Sequence, residues 1–75
     1  MAKLDKYNKF DVKEGDMLRF DYGDSYIVTH VSYTYFPSTG KIRGASFSLQ
    51  DTKTRRIIYG HPSSECYGAE WIPQD

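Results

Sequence analysis

His30, His61 and Cys66 are the only histidine and cysteine side chains in this 75-residue sequence, and with them lies most of its capacity for metal or nucleophilic chemistry. A structural zinc site takes four such ligands with paired local spacing, and the chain has neither a CxxC nor an HxxxH unit. Glu65 completes a ligand set only on paper, so no metal is expected. Cys66 paired with His61 or His30 would be a thiolate and its base. It follows Glu65, however, whose negative charge disfavours the thiolate, so it reads as a semi-buried or incidental cysteine. Asp16, Asp21 and Asp24 cluster near a turn, where carboxylates face solvent more often than they act as an acid and base pair. The six glycines are scattered singly and build no phosphate loop. The chain is therefore expected to have no catalytic residues and no cofactor.

Two residue sets fit binding instead. Lys41, Arg43, Lys53, Arg55 and Arg56 face only Asp51 as a local counter-charge. If the strands around them pair through a turn at 51–54, these cations fall on one antiparallel ribbon. Tyr33, Tyr35 and Phe36 precede it across a proline loop, so rings that stack bases would lie near charges that hold phosphates. RNA or single-stranded DNA is then the ligand. The second set is aromatic: Tyr22, Tyr33, Tyr35, Phe36, Tyr59 and Tyr67, part of a complement of seven tyrosines that exceeds what a small core requires. Tyrosine supplies rigid contact area with a polar tip, which suits a protein partner. Self-association is a third reading of the same surplus.

A chain of this length holds one core and a narrow stability margin. Formal net charge is zero, which removes the simplest electrostatic argument for nucleic acid. Charge nonetheless comes in blocks: a basic excess over residues 1–13, an acidic one over 14–24, a basic one over 41–56 and an acidic tail. Such blocks either make a dipolar molecule or neutralise one another across neighbouring strands, and the second is preferred. The lone cysteine permits no intrachain disulfide, the first ten residues contain no apolar leader core, and no stretch reaches the length of a membrane span. A cytoplasmic location and no membrane partner are expected.

The elements follow from periodicity. Leu4, Tyr7 and Phe10 are spaced by three in a polar opening, as in a short turn that lays Phe10 and Leu4 over one end of the fold. Gly15 and Asp16 form a turn, and Met17–Tyr22 alternates as a first strand. Tyr26 to Tyr35 is a second, long strand whose composition favours a pleated sheet. Tyr26 and Val28 share one parity, while Val31, Tyr33 and Tyr35 share the other. Either a bulge near Thr29 and His30 bends the strand, or it runs straight with one set outside, and the bend is preferred. Pro37–Gly40 is a loop, Lys41–Gln50 the third strand with Gly44 marking strong coiling, and Arg55–Tyr59 the fourth. A 3₁₀ turn over 65–68 precedes a short last strand at 69–72. The expected core is Leu18, Phe20, Val28, Val31, Phe47, Leu49, Ile58 and Trp71.

This all-β order, five strands with a long second and a turn before a brief last one, is that of an SH3-like barrel. The stretch Lys13-Glu14-Gly15-Asp16-Met17-Leu18-Arg19-Phe20, followed by Gly23-Asp24-Ser25-Tyr26-Ile27-Val28, resembles the opening of small SH3-like and KOW-like barrels. The resemblance implies that the Gly-Asp turn starts the first barrel strand and that the aromatic-x-Val unit begins the second. Length and tyrosine content also resemble those of phage accessory proteins. The expected organisation is an N-terminal arm over 1–11 and a single barrel domain over 12–75. The expected function is a non-enzymatic protein-binding module, an inhibitor or adaptor, with nucleic-acid binding through the 41–56 hairpin as the alternative.

Overall fold

The computed structural model describes residues 2–74. Six strands form one antiparallel sheet: β1 (Ala2–Lys3), β2 (Met17–Arg19), β3 (Ser25–Tyr35), β4 (Ile42–Asp51), β5 (Ile57–Pro62) and β6 (Glu70–Ile72). Their order across the sheet is β1-β6-β2-β3-β4-β5, so β1 and β5 are its edges. Two 3₁₀ turns, Lys9–Asp11 and Ser63–Cys66, complete the elements. All five expected strands form, and the chain is all-β as its alternation predicts. The sixth strand, β1, corrects the expected count of five. It pairs Ala2 with Trp71 and Lys3 with Glu70, and a polar dipeptide has no periodicity by which to announce itself.

The parity conflict in β3 is resolved by a bulge. Val28 pairs with Leu49 and His30 with Ser48, which leaves Thr29 as the extra residue and brings Val31 opposite Phe47. Val28 and Val31 thus face the core together, as the bent-strand reading requires. The Thr29 hydroxyl donates to the Ser48 carbonyl at 3.2 Å, a bond that holds the extra residue in place. A second register shift follows Thr34, where Thr34 pairs with Gly44 and Tyr35 with Ile42. A Cβ on Gly44 would stand 3.4 Å from the Thr34 hydroxyl, so the strands approach closely at the glycine.

Leu18, Val28, Phe47 and Leu49 are buried as expected, and Phe20, Val31 and Trp71 pack against them half-buried. Ile58 is the exception at 43% exposed, because it lies on β5, which has only β4 as a strand neighbour among the described residues. Leu4, Val12, Ala45, Cys66 and Ala69 fill the core in its place. Leu4 is clamped by its own backbone: its N–H donates to Ala69 at 2.8 Å and its carbonyl accepts from Gly68 at 2.9 Å. A residue expected to cover one end of the fold is therefore fully part of its centre.

Asp16 is likewise interior, 1% exposed, and not the solvent-facing turn carboxylate its sequence neighbours suggest. Its Oδ2 accepts from the Lys13 N–H at 2.9 Å and from the Trp71 indole N–H at 3.0 Å, and Oδ1 accepts from the Gln74 N–H at 2.9 Å. Gly15, with φ 95°, makes the turn that points this carboxylate inward. Charges also meet across strands, since Arg19 of β2 donates to its register partner Glu70 of β6. Arg19 is the lone cation of the acidic 14–24 block and Glu70 belongs to the acidic tail, so this pair links two acidic blocks and joins no basic block to an acidic one.

The sheet is uneven in width. β2 pairs with residues 25–27 of β3, and β5 with residues of β4 between Ser46 and Gln50. Residues 34–44 have strand partners only within their own hairpin. This ribbon extends beyond the body and contributes to overall dimensions of 41 × 24 × 24 Å. Among the described residues no helix is long and apolar enough to cross a membrane.

Candidate functional site

The turn between β2 and β3 builds an aromatic cluster. Phe20 donates its N–H to Asp24 at 2.9 Å and accepts from Gly23 at 3.0 Å, a tight reversal in which Gly23 takes φ 97°. The reversal stacks Tyr22 on Phe20, centroids 5.4 Å apart, and sets Tyr26 edge-on to the same ring at 5.5 Å. Such pairs add to the energy of area burial and hold ring orientations. These three rings line a concavity of about 300 Å³ together with Leu49, Ile58, His61 and Glu65.

A second concavity, of about 500 Å³, is lined by Tyr26, Asp51, Thr54, Arg56 and Ile58. Tyr26 and Ile58 line both, so the two concavities adjoin beside β5 and together make the groove surface. Its far wall is rigid. Asp51 accepts from the N–H groups of Lys53 at 2.7 Å and Thr54 at 3.1 Å, and those bonds hold its carboxyl below the ordinary value. Thr52 ties the same turn to Ser25 through its N–H at 3.1 Å and its hydroxyl at 3.2 Å. Burial first, then the neighbouring Tyr22, Asp24 and Asp51, raises the Tyr26 phenol above its ordinary pKa. Around Tyr26 the groove is thus aromatic, with the carboxylates of Asp24 and Asp51 nearby and the guanidinium of Arg56 in the same lining.

The expected aromatic set does not gather at one place. Tyr22, 70% exposed, belongs to the groove, and Tyr59, 77% exposed, stands on β5 next to it. Tyr33 lies near Phe10, with centroids 6.3 Å apart and its hydroxyl 3.5 Å from the Phe10 carbonyl, in a separate cleft with Lys13, Trp71 and Pro73. Tyr35 and Phe36 sit at the tip of the projecting ribbon with Ile42, all exposed. Tyr67 follows the second 3₁₀ turn, and the Lys9 ammonium lies 5.8 Å from its ring centroid.

The basic set is divided too. Lys41 and Arg43 lie at the ribbon tip, whereas Lys53, Arg55 and Arg56 belong to the β4–β5 turn, at the opposite end of the ten-residue β4. A strand rises about 3.3 Å per residue, so roughly 30 Å separates the two groups. Pairing of β4 with β5 forms as expected but stops at Ser46, short of the first group. The result is two basic poles, one of which keeps aromatic neighbours in Tyr35 and Phe36.

The histidines and the cysteine are dispersed. His30 approaches Glu14 at 3.4 Å on an exposed face, and His61 lies 3.8 Å from Glu65 at the groove. Cys66 is fully buried, its Sγ 3.9 Å from the Pro62 carbonyl, and burial, aided by Glu65, pushes the thiol up to about 11. It is a core thiol, with a negligible thiolate fraction near neutral pH. Among the described residues no group of three or more His, Cys, Asp or Glu side chains is placed to hold a metal ion.

Phe20, Tyr26, Ile58, His61 and Glu65 are site residues that sequence reasoning did not assign to one surface. The spacing of Phe20, Tyr22 and Tyr26 around Gly23 was the available signal, because a tight reversal brings such positions side by side. Comparison with family models, curated proteins and solved structures finds no match to the chain.

Proposed function

We propose that the chain is an SH3-like barrel acting as a protein-binding module, an adaptor or inhibitor, that engages its partner through the groove of Phe20, Tyr22, Tyr26, Ile58 and Glu65. The strand order β6-β2-β3-β4-β5, with a 3₁₀ turn before β6, supports the barrel reading. The observation that carries the functional reading is that two adjoining concavities share Tyr26 and Ile58 in their linings. The rings of Phe20, Tyr22 and Tyr26 suit concentrated binding energy, and the carboxylates of Asp51 and Glu65, set against the single guanidinium of Arg56, favour a partner segment bearing Lys or Arg. The free thiol of Cys66 fits a reducing compartment.

Affinity capture with the wild type, Tyr22→Ala, Glu65→Lys and the distant control Tyr7→Ala tests this. Wild type and control retain the same protein and the two groove variants lose it. Equal retention by all four would remove the groove as the contact.

A further inference from the structure

Among the described residues β5 ends the sheet, with β4 on one side and no strand on the other. Its backbone direction can be read from the ladder. The Asp51 N–H donates to the Arg56 carbonyl at 2.8 Å, and Gln50 pairs with Ile57 while Leu49 pairs with Ile58. Antiparallel pairs alternate between hydrogen-bonded and open, which makes Gln50–Ile57 the open pair and directs the N–H and C=O of Ile57 away from β4. Tyr59, two residues on, directs its own the same way. Gly60, with φ 63°, then bends the strand where the β4–β5 register shifts. The usable edge is therefore short and bounded.

Its side chains are three consecutive apolar residues, each exposed: Ile57 at 39%, Ile58 at 43% and Tyr59 at 77%. Edge strands are usually blunted by charge, and here the nearest charge is Arg56, outside the triplet. Ile57 and Tyr59 share one face of the strand and Ile58 takes the other.

We propose that β5 pairs with β5 of a second copy of this chain, antiparallel and centred on Ile58. This register sets Ile57 opposite the second copy's Tyr59, Tyr59 opposite its Ile57, and Ile58 opposite its own equivalent. The residues whose backbone groups point outward then meet each other and exchange four N–H···O bonds. Two aromatic to β-branched cross-strand pairs form on one face and an isoleucine pair on the other. Arg56 falls opposite Gly60, which has no side chain, so no like charges are opposed. A net charge of zero also leaves two copies without mutual repulsion. The contact is self-complementary about a two-fold axis, and the other edge, β1, is only two residues long, so assembly stops at the pair.

Sedimentation of the full chain over a concentration series tests the proposal. The wild type shifts with concentration from the monomer mass to twice that mass. Ile58→Lys and Ile58→Glu each place like charges opposite one another and weaken pairing about tenfold or more, while circular dichroism and a cooperative urea transition confirm folding. An equimolar mixture of the two variants restores the double mass, because the opposed residues become Lys and Glu. Tyr59→Lys, at the most exposed of the three positions, weakens pairing without touching the core. A wild type that stays monomeric throughout, a dimer that survives Ile58→Lys, or a mixture that fails to recover overturns the proposal.

Discussion

The indole of Trp71 donates to the carboxylate of Asp16 at 3.0 Å, across 55 residues of sequence, and joins the turn before β2 to the last strand. Asp16 is the only charged side chain fully buried among the described residues. Burial alone would raise its pKa, but the bonds from Gln74, Lys13 and Trp71 outweigh that and hold the carboxyl below its ordinary value of 3.8.

Asp16→Ala is expected to destabilise the fold by about 3 kcal/mol, since it leaves an indole and two backbone donors without their acceptor. The pH dependence has a definite sign. The unfolded carboxyl binds its proton at higher pH than the folded one, so the contribution of Asp16 is complete above the ordinary carboxylate value and lost as pH falls through the folded value. Urea titrations at successively lower pH should show this loss in the wild type and a shallower dependence in Asp16→Asn. Parallel curves would mean that Asp16 does not govern acid stability.

Cys66 predicts the opposite limb. Its folded thiol is raised to about 11, from an ordinary value of 9.0, so the folded state holds the proton that the unfolded state releases. Stability should decline as pH rises from 9.0 towards 11, and Cys66→Ala should flatten that decline. Iodoacetamide should label the native chain far more slowly than the urea-unfolded chain; equal rates would place the thiol at the surface.

Phe47 and Ile58 should separate core from edge. Phe47 has no exposed surface, and Phe47→Ala should cost about 3–5 kcal/mol, enough to abolish a cooperative transition in a domain this small. Ile58→Ala, at an exposed edge position, should cost below about 1 kcal/mol at protein concentrations where the chain is monomeric. Similar urea midpoints for the two would contradict the register of β4 with β5.

Nucleic-acid binding is expected to be weak because its cations are divided between two poles. Fluorescence anisotropy with RNA and single-stranded DNA oligonucleotides at low salt should give no saturable signal. Saturable binding that falls as salt rises and disappears in Lys41→Glu plus Arg43→Glu would move recognition to the ribbon tip.

Much of the sheet is legible in the sequence. Alternation around Leu18, Phe47 and Leu49 places strands with little ambiguity, and the broken parity between Val28 and Val31 locates the Thr29 bulge. What escapes is fixed by distant partners. Nothing near Leu4 shows that its backbone will be clamped by Gly68 and Ala69, and nothing near Asp16 shows that Trp71 and Gln74 will reach it. The groove is hidden similarly, because Tyr26 and Ile58 become neighbours only after three strands have paired. Ile58 looks like a core residue by type, and only the sheet order makes it an edge.

The ribbon over residues 34–44 has one further consequence, for how the chain can change. Its strand pairing is internal, so lengthening the 37–40 loop or replacing its tip leaves every core pairing of Leu18, Val28, Phe47 and Leu49 where it was. The body must conserve its register, whereas the hairpin tip is free to vary. A foreign loop grafted there would be displayed away from the body on a stalk already built to carry it.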